Sequence, residues 1–170
     1  DCEISLHILA HSMGGLLVRE AFDYADDDHA TAQHSWTVSQ IALVAADISS
    51  KSMQDGDAST RSMVRHSTRI TNYYNRHDKV LSTSEIKRIG VSRRLGRVGA
   101  PSNRSEGVVN LDCSDFYNER VDGTEMSGSH SWYFDSERFY RDLNDTLTSR
   151  LDRDVIPGRG RSADGLKWET

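Results

Sequence analysis

The chain has 170 residues and a formal net charge of −5. That length allows one domain, and the negative balance argues against a nucleic-acid binder. Mean hydropathy is −0.64, the value of a polar chain, and no apolar run approaches the ~20 residues needed to span a bilayer.

The first element is the run Ile4-Ser5-Leu6-His7-Ile8-Leu9, whose period-two alternation predicts a strand over 4–9. Ala10-His11-Ser12-Met13-Gly14-Gly15 follows, and then a helical pattern with Met13, Leu16, Leu17, Ala21 and Tyr24 as its apolar positions. A serine on a sharp turn between a strand and a helix has the geometry of a nucleophile elbow. The hydroxyl stands above the sheet edge, the Met13 N–H is placed to meet a developing oxyanion, and the helix N-terminus adds partial positive charge. Crowding in such a turn asks for small residues two before and two after the serine, and Ala10 and Gly14 supply them. The structural alternative is a Ser12 that only caps the helix.

Beyond the polar linker Asp26-Asp27-Asp28-His29, the continuous apolar run over 38–46 predicts a buried strand ending at Asp47. Residues 49–65 read as a surface crossover that packs Met53 and Met63 on the sheet, with a short cap over the site as the other possibility. A more polar strand over 68–74 leads into Asn75-Arg76-His77-Asp78-Lys79-Val80-Leu81. The basic, Gly-rich stretch 88–107 reads as loop, its arginine cluster 93–97 as solvated, and Gly96-Arg97-Val98-Gly99 is too short for a phosphate cradle. A third strand over 107–113 and a polar loop bring the chain to His130. A helix over 136–151 follows, with Asp135 as N-cap and Phe139, Tyr140, Leu143, Leu147 and Leu151 as one face. The tail 152–170 has Pro157, three glycines and mixed charge, and is expected to be irregular and partly mobile.

His-Ser-Met-Gly-Gly after an apolar strand resembles the elbow of the α/β-hydrolase fold, in its lipase- and esterase-like branches. The segments 75–81, Arg94-Leu95-Gly96 and His130-Ser131-Trp132-Tyr133 resemble a bacterial group of α/β hydrolases whose function is not characterised. The order strand–elbow–helix, strand–Asp, strand–Asp, strand–loop–His, helix matches the C-terminal half of that fold. The resemblance implies a mostly parallel sheet flanked by helices, with Ser12 as nucleophile, Asp78 as acid and His130 as base. It also implies that the strands preceding the elbow lie outside these residues. The expected organisation is therefore a partial hydrolase domain over 1–151 and the tail over 152–170.

The three residue types fit the chemistry. A serine hydroxyl attacks only once a base removes its proton, an imidazole near pKa 6.5 can take and return that proton, and a carboxylate holds the ring in the right tautomer. His7 and His11 flank the elbow and read as local packing or hydrogen bonding, while His29 and His34 read as solvated. His66 and His77 precede the acid, which leaves His130 in the family's position for the base. Asp47 stays open as an alternative acid, because some lipases use the end of the preceding strand. Either carboxylate could instead be a turn or cap group.

The implied activity is cleavage of carboxylic esters through an acyl-enzyme, with a small-molecule ester or acyl substrate and no cofactor or metal. A thioesterase or acyltransferase would use the same residues, and a non-catalytic binding module or inactive fragment on this fold is the alternative from another class. In the family's strand order Cys2 and Cys113 lie at opposite ends of the visible sheet, too far apart for a disulfide. Two reduced cysteines point to a cytoplasmic setting.

Overall fold

The computed structural model describes residues 4–87, 93–121, 125–148 and 150–170. Cys2 and part of the basic 88–107 stretch lie outside them. The element that organises the molecule is β2 (Val38–Val44). From Ile41 to Ala46 every residue is fully buried, as expected of a strand covered on both faces. β1 (His7–His11) and β3 (Ser67–Tyr74) flank it in parallel, and β4 (Val108–Asp112) extends the sheet beside β3.

Alternate side chains of a strand point to opposite faces, and the two faces of β2 seed two cores. Ile41 and Leu43 pack with Phe22, Met53, Met63 and Ile70. Ala42 and Val44 pack with Tyr73, Leu111, Trp132, Tyr133, Phe139 and Trp168. The first core lies under α1 (Gly14–Asp27) and the β2–β3 crossover. That crossover is built of two 3-10 turns, Ser50–Met53 and Ala58–Thr60, and the short α3 (Arg61–Arg65), preceded upstream by α2 (His29–Ala32). The second core lies under α8 (Glu137–Thr148). Between β3 and α8 come α4 (Lys79–Lys87), α5 (Leu95–Val98), α6 (Ser114–Arg120), α7 (Gly128–Ser131) and the 3-10 turn Trp132–Asp135.

The tail departs from expectation. Within 152–170 the chain forms β5 (Arg159–Ser162) and β6 (Gly165–Trp168), an antiparallel hairpin whose β6 runs parallel to β4. The strand order is β1-β2-β3-β4-β6-β5, so β4, which precedes Cys113, is not the sheet edge. Buried Trp168, and Arg159 paired with Asp142 on α8, fix the hairpin in place.

Three smaller expectations also shift. Pairing of β1 starts at His7 opposite Gln40, and Ile4 and Leu6 are exposed, although the Leu6 carbonyl still accepts the Ser39 N–H. α1 seats Gly15, Leu16, Val18 and Phe22 on the core, while Met13, Leu17 and Tyr24 face outward. The cause is Gly15, where a Cβ would lie 3.1 Å from the Ala46 Cβ, so the helix is drawn close to β2 on that side. α8 ends at Thr148, with Phe139 and Leu143 buried and Tyr140 and Leu151 exposed, and Ser136 rather than Asp135 precedes its first turn.

Candidate active site

The C-terminal ends of β1, β2 and β3 bring the sequence candidates to one end of the sheet. Ser12 follows β1 directly with φ 56°, a left-handed backbone that a residue with a side chain rarely adopts. The turn is held from below. The Ser12 N–H donates to the Val44 carbonyl at 3.0 Å, and the Ser12 carbonyl accepts from Gly15 at 3.1 Å and from Asp47 at 3.0 Å. Ala10 is buried. A Cβ on Gly14 would make only an ordinary 3.7 Å contact with it, so the close packing falls at Gly15. The Met13 N–H meets no backbone carbonyl among the described residues, and it opens the N-terminus of the 14-residue α1.

Asp78 and His130 are in contact. His130 Nδ1 donates to Asp78 Oδ2 at 2.7 Å, and both residues are buried, at 9% and 1% exposure. The second Asp78 oxygen accepts the Leu81 N–H at 2.9 Å, so the carboxylate caps α4 and holds the imidazole at once. With Nδ1 engaged, Nε2 is the nitrogen left to act as a base.

The loop carrying His130 is fastened by its neighbour. Ser129 is fully buried, and its hydroxyl accepts the Lys79 N–H at 3.0 Å and donates to the Met126 carbonyl at 2.7 Å. Asn75 reaches the Ser129 carbonyl at 3.4 Å and accepts the His77 N–H with its own side-chain oxygen. On the elbow side, His11 Nε2 lies 3.1 Å from the His130 carbonyl, and the two rings are 4.6 Å apart. Burial pushes the His11 imidazole below its ordinary range, partly offset by that backbone hydrogen bond. The sequence reading takes His11 as a local packing residue, whereas its partner is 119 positions away.

Asp47 is engaged elsewhere. Its carboxylate lies 2.9 Å from Arg94 Nε, an ion-pair contact without hydrogen-bond alignment, and accepts weakly from the Ser84 hydroxyl. Arg94 is 3% exposed, which corrects the reading of 93–97 as a solvated cluster. The next two residues explain the Arg94-Leu95-Gly96 motif. Leu95 and Gly96 donate to the carbonyls of Ile48 and Ala46, and a Cβ on Gly96 would sit 2.2 Å from the Ala45 carbonyl carbon.

Among the described residues the side chains of His29, His34, His66 and His77 make no hydrogen bond to this group. His66 bridges Asp26 and the Trp36 carbonyl, exposed His77 stacks on Tyr117, and His29 and His34 are exposed. A cavity of about 820 Å³ opens at the opposite end of the strands, beside Thr68, Arg104 and Val108, and includes none of the candidate residues. No helix among the described residues is long and apolar enough to cross a membrane.

No curated protein and no solved structure matches the chain. A family model described as an alpha/beta hydrolase of unknown function (DUF900) does, over residues 2–131. That span contains β1 to β4, the Ser12 turn, Asp78 and His130. With the mostly parallel, helix-flanked sheet already in view, a match over more than half of the chain places this protein in that α/β-hydrolase family.

Proposed function

We propose that this family member is a serine hydrolase that cleaves carboxylic esters through an acyl-enzyme. The observation that carries the reading is the buried Asp78–His130 hydrogen bond, its loop tied to the turn that holds Ser12 in a left-handed conformation. Ser12 Oγ attacks the ester carbonyl while His130 Nε2 takes its proton. The Met13 N–H stabilises the oxyanion of the tetrahedral intermediate. His130 then protonates the leaving alcohol. Water, deprotonated by the same nitrogen, cleaves the acyl-Ser12 bond and regenerates the hydroxyl. Asp78 stabilises the imidazolium formed in each step. The engagement of Asp47 with Arg94 supports Asp78 as the acid. The small-molecule substrate is an ester or related acyl compound, and a thioester or acyl-transfer reaction would run through the same groups.

The test is labelling with a fluorophosphonate and hydrolysis of p-nitrophenyl acetate by the parent and by Ser12→Ala. The parent is expected to show both activities and the variant neither. Ester cleavage retained in the alanine variant removes Ser12 from the mechanism.

A further inference from the structure

We propose that His11 is a positioning residue, whose Nε2–H bond to the His130 carbonyl sets the base against the nucleophile; the inference rests on the triad reading above. His11 is the last residue of β1 and immediately precedes Ser12. Its side chain therefore moves with the elbow. A carbonyl oxygen only accepts, so the 3.1 Å contact requires a proton on His11 Nε2. The ring is further fixed between His130, at 4.6 Å, and Phe134, which it meets edge-on at 5.1 Å.

The need for such a bond follows from the fold. α7, which carries His130, is only four residues long. Ser129 and Asn75 anchor this loop to the α4 side, where Asp78 sits, and so fix the base relative to the acid. Among the described residues their side-chain hydrogen bonds run to His77, Lys79, Met126 and each other, not to the Ser12 turn. The His11 contact spans that gap and joins nucleophile and base by one side chain. A misplacement of about 1 Å between reacting groups can slow a reaction ~100-fold. His11 does not relay protons in this arrangement, because its nitrogen faces a main-chain oxygen rather than the His130 ring. Burial also favours the neutral His11 ring, which leaves the imidazolium that forms on His130 without a like charge beside it.

Two substitutions separate the bond from the packing. His11→Phe keeps a ring between His130 and Phe134 but has no donor. His11→Gln places an amide N–H within similar reach of the carbonyl. With p-nitrophenyl acetate, His11→Phe is expected to lower kcat about 10- to 100-fold with KM little changed, and His11→Gln to restore most of the loss. The low-field proton resonance of the His130–Asp78 hydrogen bond is expected to be sharp in the parent and in His11→Gln, and broadened in His11→Phe. Parent-like kcat and resonance in His11→Phe, or equal losses in the two variants, would overturn the proposal. If the parent neither cleaves the ester nor reacts with a fluorophosphonate, the catalytic reading fails, and the resonance still decides whether His11 orders the His130 loop.

Discussion

Arg159 and Asp142 meet in the core with neither side chain more than 1% exposed: Nη2 lies 2.5 Å from Oδ1 and Nε 2.7 Å from Oδ2. The carboxylate also accepts from Tyr73 and Trp168, and the guanidinium donates to Thr146 and to the Arg153 carbonyl. A buried pair is tolerable when its remaining donors and acceptors are satisfied in this way. Through it the C-terminal hairpin, α8 and β3 are joined.

Asp142→Ala leaves the Arg159 charge buried and uncompensated. The expected loss of stability is about 3–5 kcal/mol, read as a lower urea midpoint with Trp168 fluorescence reporting release of the hairpin. A double replacement of Asp142 and Arg159 by leucine should cost less than the single change. A loss under about 1 kcal/mol for Asp142→Ala, the level of an exposed pair, would mean that water reaches the site.

How far the sequence reveals this fold depends on how local each signal is. β2 and β4 are legible as apolar runs, and the Ser12 turn as a motif between two periodic segments. The order Ser12, Asp78, His130 gains its proposed roles only from the family resemblance. The hairpin is not legible: Arg159-Gly160-Arg161-Ser162 has no apolar residue, and Arg159 is buried only because Asp142 waits on a distant helix. The burial of Arg94 is hidden for the same reason, since its partner Asp47 lies 47 positions away. The outward Leu17 and Tyr24 show the converse failure, in which helical spacing identifies apolar positions but not the face that docks.

Gly96→Ala should be among the most damaging single changes to the chain. Its methyl group would meet main-chain atoms of Ala45 and Ala46 at 2.2–2.5 Å, and those residues lie just past the end of β2. Displacement of the loop would also break the bond from the Asn75 N–H to the Gly96 carbonyl. A loss of about 3 kcal/mol or more is expected in urea unfolding. Gly56→Ala is the control: it has a positive φ, 76°, which Gly96 does not, but nothing lies within 4 Å of its Cβ, and the change should cost about 1 kcal/mol.

The two carboxylates at the strand ends should fail in different ways. Asp78→Asn presents the wrong hydrogen-bonding group to His130 Nδ1 and should reduce kcat roughly 10⁴-fold. Asp47→Asn strips the buried Arg94 of its counter-charge and should lower stability by about 3 kcal/mol, with kcat per folded molecule close to the parent's. Steady-state kinetics beside urea titrations tests the pair, and a larger kcat loss in Asp47→Asn would reverse the assignment.

Acid should weaken the junction between α1 and α3. Asp26 is held below its ordinary value of 3.8, first by its hydrogen bond from His66 and then by those from Ser62 and the charge of Arg65. Both His66 nitrogens face acceptors, Asp26 Oδ1 and the Trp36 carbonyl. With the folded-state carboxyl more acidic than in the unfolded chain, its contribution is complete well above 3.8 and disappears as pH falls through the folded value. Asp26→Asn should therefore lower the urea midpoint at pH 7, and the gap between variant and parent should narrow in acid. A gap that stays constant down to pH 3 would show that the carboxylate's charge contributes nothing.

The left-handed Ser12 implies a conflict between durability and use. Glycine would hold φ 56° without the penalty that a Cβ incurs there, so stability alone favours losing the hydroxyl. Sequences selected only for resistance to heat would be expected to drift away from serine at this position. On the proposed mechanism those selected for turnover must keep it, and must offset the strain through the main-chain bonds from Gly15 and Asp47 that grip the same carbonyl.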